Sequence, residues 1–136
     1  MNDQKPTFKE AMEATIIWCK SWEDDQISDE VFADRVGELI KTVEGARGFF
    51  VVSLSIDCPL MDRVPDALVF QFRNSGDMVV DLTVKNLAMS SAMVIRHREN
   101  DDIQEMQSER IKIRCIELLK LLDSNKVKKR LEVLLE

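Results

Sequence analysis

Turn-forming residues are scarce in this chain, with four glycines and three prolines among 136 residues. A strand-rich sandwich needs turn signals about every 8–12 residues, so too little material is present to build one. Tyrosine is absent and histidine occurs once, at His97. Zinc needs three or four Cys, His or carboxylate ligands at workable spacing, which one histidine and scattered cysteines do not supply. Glu23-Asp24-Asp25 lacks the spaced ligands and glycine of a calcium loop. Gly37, Gly45, Gly48 and Gly76 make no glycine-rich phosphate loop. No metal and no cofactor is therefore expected.

The three cysteines, Cys19, Cys58 and Cys115, are odd in number, widely spaced and without a Cys-x-x-Cys pair. That pattern fits reduced thiols in the cytoplasm better than a disulfide framework. The opening MNDQKPTFKE lacks the apolar run of a signal peptide. No run of about 18 uninterrupted apolar residues occurs, so no membrane span is expected. The net charge is −6. An acidic chain repels nucleic acid and anionic membranes, and neither is the expected partner. The sign is uneven: residues 1–95 hold 9 basic and 16 acidic side chains, and residues 96–136 hold 10 and 9.

What is present is helical periodicity. Asp77 to Asn100 is free of proline and internal glycine and is long enough for about six turns. Its apolar residues run from Met78 to Ile95 and overfill one stripe, which predicts burial nearly all round. The chain is therefore expected to be one all-α domain, a compact bundle of six or seven helices around a central buried helix over about 77–99. Residues 1–5 are polar and expected to fray. Thr7 and Glu10 have capping-box spacing and open a helix over Phe8 to Glu23, with Phe8, Met12, Ile16, Cys19 and Trp22 as its stripe. Ser28 caps a second helix reaching about Glu44, where Gly45 reads as a stop. The short link between these two predicts a hairpin. Residues 47–57 read as a short buried helix, with a strand as the alternative favoured by side-chain type. Cys58 to Val64 reads as a loop, and Pro65 opens a short helix to Phe72 or Arg73. Asp81 and Lys85 are an i,i+4 pair on the central helix. The last two helices run over about Ile103–Leu122 and Lys126–Leu135. Their inward faces are expected to include Met106, Ile113, Ile116, Leu118, Leu122, Val127, Leu131 and Leu134.

The runs KNLAMSSAM at Lys85–Met93, HRE at His97–Glu99 and SER at Ser108–Arg110 resemble a family of small, soluble, uncharacterised proteins from cyanobacteria. Gly45–Leu54 and the C-terminal helices share the likeness more loosely. The resemblance implies a cytoplasmic protein of a photosynthetic bacterium, and it carries no activity or site residue.

Candidate sites follow from residue chemistry. Arg96, His97 and Arg98 sit where a helix dipole favours cations. They are also candidates for an anion site, although successive helix positions diverge by about 100° and only Arg98 converges with a residue three or four away. Asn86 and Ser90 are the polar candidates beside it, and a serine there also suits close helix packing. His97 as base with Cys115 as nucleophile has no supporting signature. Trp18 and Trp22, four apart on the first helix, are the candidate partner surface, because such rings are hard to bury fully. Lys126, Lys128, Lys129 and Arg130 read as a solvated face. The expected function is non-enzymatic: protein–protein interaction or assembly, with an unidentified protein or further copies of the chain as partner. The alternative is a small apolar or anionic ligand held beside the central helix near Asn86, Ser90 and Arg98.

Overall fold

The computed structural model describes residues 5–97 and 102–135. These residues form seven α-helices: α1 (Phe8–Glu23), α2 (Asp29–Leu39), α3 (Val43–Ser53), α4 (Asp66–Asn74), α5 (Asp77–His97), α6 (Asp102–Leu121) and α7 (Ser124–Leu135). A single 3-10 turn occupies Pro59–Met61 within the expected loop. The all-α bundle is as the periodicity predicts, and among the described residues no strand forms.

Local chemistry sets most helix starts. Thr7 and Glu10 close the capping box on α1, with Thr7 N–H donating to Glu10 Oε1 at 2.9 Å and Glu10 N–H to Thr7 Oγ1 at 3.1 Å. Ser28 Oγ accepts from Val31 N–H and opens α2. Trp22 Nε1 donates to Asp29 Oδ1 at 2.7 Å and its ring leans on Phe32, which fixes the α1–α2 corner. Gly76, at φ 67°, takes the left-handed turn between α4 and α5.

The second helix ends at Leu39, five residues before its expected end, and Gly45 is no stop. Thr42 caps a new helix by accepting from Gly45 N–H at 3.1 Å. Gly45 lies so close to the Leu39 carbonyl that any Cβ there would strike it. The glycine is needed for the tight α2–α3 turn. The helix read over 47–57 is α3, and the strand alternative is not adopted. Polar atoms of a lone strand would have stayed unpaired, whereas a helix pairs its own.

The α1–α2 link is short, yet α1 packs mainly on α3 and α2 on α4. At the α1–α3 crossing, a Cβ on Gly48 would lie 2.5 Å from Ala11 Cβ and 2.8 Å from the Phe8 carbonyl. Small residues let these backbones close up, and the buried stripe of α1 is accordingly Ala11, Thr15 and Cys19. Ile16, expected inside, is exposed along with Ile17. Phe49, Phe50 and Phe72 fill the centre with ring centroids 5.0–5.9 Å apart.

The most extensive helix pair is α5 with α6. The expected burial of the long helix holds on one face only. Val79, Val80, Thr83, Val84, Ser90 and Val94 are buried, while Met89, Ala92 and Ile95 are exposed. The main neighbour of α5 is α6, with α7 and α3 covering less of it. Asp81, expected to pair with Lys85, pairs with Arg130 of α7 at 3.0 Å. Asp77 meets Lys126 at 3.6 Å, so part of the basic cluster fastens α7 to α5.

One charged side chain is buried to a degree that the periodicity did not suggest. Arg114 of α6 is 3% exposed. Its Nε and Nη2 hold Asp62 at 2.9 and 3.1 Å. Nη1 donates to the carbonyls of Ser53, Leu54 and Ile56, and Nη2 to that of Cys58. The last carbonyls of a helix lack partners within it, and a planar five-donor fork can satisfy several at once.

Arg114→Leu strips a partner from four carbonyls and a carboxylate, and should cost about 3–5 kcal/mol in urea denaturation. An unchanged midpoint would mean water replaces the guanidinium. Gly48→Ala should lose about 1–3 kcal/mol through overpacking against Ala11. Gly37→Ala, which meets only the movable end of Gln71, should be neutral or gain helix propensity.

Candidate functional site

The polar candidates beside the long helix are occupied locally. Asn86 Nδ2 donates to the Leu82 carbonyl at 2.8 Å, and Ser90 Oγ to that of Leu87 at 3.1 Å. Both bonds stay on α5. His97 ends α5, but its side chain lies outside the described residues, as does all of Arg98. Trp18 and Trp22 are half-buried and packed against the core, so they do not form an exposed pair.

The thiols are sealed. Burial pushes Cys19 up to about 12 from its ordinary 9.0, with neighbouring Cys58 adding to the effect, and burial alone pushes Cys115 to about 12. Cys58 is raised as well, again mainly by burial. A thiolate nucleophile is disfavoured at each position. Among the described residues no cluster of His, Cys, Asp and Glu could hold a metal.

The feature that stands out lies on α6. This helix buries Arg114, Cys115, Leu118 and Leu119 towards the bundle. Elsewhere along its length it exposes Ile103 by 69%, Met106 by 72% and Ile113 by 51%. These residues, with Arg110 and Asp62, line a groove of about 570 Å³. Arg110 Nη1 lies 3.8 Å from Asp57 Oδ1 at its edge. The Arg114–Asp62 clamp fixes one wall of the groove relative to the helix. Met106 and Ile113 were expected inside, but the apolar surface of α6 exceeds what α5 can cover. A second groove of about 670 Å³ lies between α6 and α7, with Leu87, Ile116, Leu119, Leu122, Val127 and Leu131 inside and Lys120 and Lys128 among its lining.

The α6 face is the residue set that sequence reasoning missed. Its signal was present: Ile103, Met106, Arg110 and Ile113 follow helical-seam spacing that runs off the phase of Ile111, Cys115 and Leu118. Two apolar phases on one helix mean two covered faces.

Asp77–Arg96 is long and apolar enough by composition to cross a membrane. Its buried face belongs to the bundle, and it carries Asp81 in an ion pair.

A family model described as uncharacterised conserved protein UCP020893 matches residues 7–136. No curated protein and no solved structure matches the chain.

The native thiols should resist an aromatic disulfide reagent at mildly alkaline pH and react only on unfolding. Their folded values lie above 9.0, so they contribute stability below pH 9 that is lost as pH rises from 9 towards about 12. Rapid native labelling would contradict this, as would a flat stability profile across that range.

Proposed function

The chain belongs to the UCP020893 family, whose description assigns no activity, and we propose on the geometry that it works by binding another protein chain and not by catalysis. The observation that carries this reading is the row Ile103, Met106 and Ile113, exposed on a helix that also buries Arg114, Cys115, Leu118 and Leu119. Single exposed apolar side chains are ordinary, whereas several along one groove mark a contact surface. Met106 adds an adaptable side chain suited to such a surface. The buried Cys115 thiol, pushed up to about 12 by burial, speaks against its use as a nucleophile.

The groove between α6 and α7 favours a second reading, an apolar ligand with an anionic head. Its interior is aliphatic, and Lys120 and Lys128 belong to its lining. Asn86 and Ser90 do not line it, so this reading moves the expected ligand site away from them. The motif run at Lys85–Met93, His97–Glu99 and Ser108–Arg110 supports a cyanobacterial source and a cytoplasmic, soluble protein.

The wild-type chain, immobilised, should retain protein from an extract of its source cell that an Ile103→Glu/Met106→Glu variant loses. Exposed positions tolerate such changes within about 0.5 kcal/mol, so the variant stays folded. Identical retention by both would overturn the reading.

A further inference from the structure

Two of the three thiols meet. Cys19 lies near the end of α1, and Glu23 follows one turn later on the same face. Cys58 opens the 3-10 turn, and its neighbour Pro59 lines one hollow of about 470 Å³ with Trp22 and Glu23. The Cys58–Pro59 peptide therefore rests against the end of α1. The two thiols lie within hydrogen-bonding reach, with Cys19 S–H donating to the Cys58 sulfur. Both belong to the same buried cluster. Burial and Glu23 oppose a thiolate at either position. At Cys58 the Leu60 N–H, the Cys19 thiol and the Arg114 charge work the other way, which makes it the better nucleophile of the pair. Arg114 Nη2 also holds the Cys58 carbonyl at 3.0 Å and so fixes this residue in place. Burial alone acts on Cys115, so no thiol faces it.

We propose that Cys19 and Cys58 are a modification site, a reversible disulfide formed by exchange with a small-molecule disulfide and tying α1 to the α3–α4 connection. The Cys58 thiolate attacks one sulfur of the small disulfide, forms a mixed disulfide and expels one small thiolate. The Cys19 thiolate then attacks the Cys58 sulfur and expels the second. The protein gives up two protons and two electrons, and the small disulfide takes both to become two thiols. The new bond closes a loop of about 40 residues, so it restrains the unfolded chain and adds to stability. Burial of the site makes the exchange slow, through opening of the chain, and does not set where it ends. Under reducing conditions both thiols stay free, as they are in this structure. The site is independent of the contact surface on α6.

The wild-type chain, reduced and unfolded in urea, is refolded by dilution into buffers of graded oxidised and reduced glutathione, equilibrated, quenched in acid and mapped by mass. A product lighter by two hydrogens should appear, with its disulfide between Cys19 and Cys58 and with Cys115 still open to alkylation. At one buffer composition its ratio to the reduced chain should be at least about thirtyfold higher in the folded chain than in urea, the lower end of what a stabilising disulfide supplies. A Cys115→Ser chain should close as the wild type does. Equal ratios in the folded and urea-unfolded chain would overturn the proposal. So would a closed product that uses Cys115, or glutathione adducts on Cys19 and Cys58 without closure.

Discussion

Arg114 is the residue on which the arrangement of this molecule depends. The chain must stop α3, turn through the 3-10 segment and begin α4 within a dozen residues. Each step leaves carbonyls that no helix ladder can pair. One guanidinium gathers four of them and closes the account with Asp62. Buried charge is costly unless every donor is used, and this site uses the fork fully. Because the arginine belongs to α6, the contact also fixes where that helix lies against the first half of the chain. The orientation of the exposed row on α6 follows from it, as does the wall that Asp62 gives the neighbouring groove.

Much of the fold was legible in the residues. Capping chemistry at Thr7 and Ser28 marked two helix starts because it acts over three or four residues. Periodicity marked the long helices, and Phe32, Val36, Leu39 and Ile40 are buried as their spacing implies. The misreadings share a cause, in that they turn on what lies across space. Gly45 resembles a stop in sequence, but the demand on it comes from the Leu39 carbonyl. Ile16 lost its place because Gly48 draws α3 onto Ala11 instead. Arg114 looks like any charged residue on a helix until the end of α3 arrives beside it.

The candidate site was less legible than the fold for a related reason. Polar residues attract attention in a sequence, yet Asn86 and Ser90 satisfy themselves on their own helix. The indole of Trp22 is likewise engaged at a corner. The informative residues were plain aliphatics with an excess of helical phase. An amphipathic helix with two apolar faces has one more than its own bundle uses. Such surplus is visible in sequence only if the two phases are separated before they are merged into one broad face.

The attachment of α7 differs in kind from that of the other helices. Beside the half-buried Val127 and Leu131, it is held to α5 by Lys126–Asp77 and Arg130–Asp81, pairs that water reaches. Charges so placed weaken as ionic strength rises and the screening length shrinks below about 10 Å. Salt therefore weakens the hold of α7 on α5 more than it weakens the aromatic centre, while Asp123 Oδ1 keeps the start of α7 capped by accepting from the amides of Asn125 and Lys126.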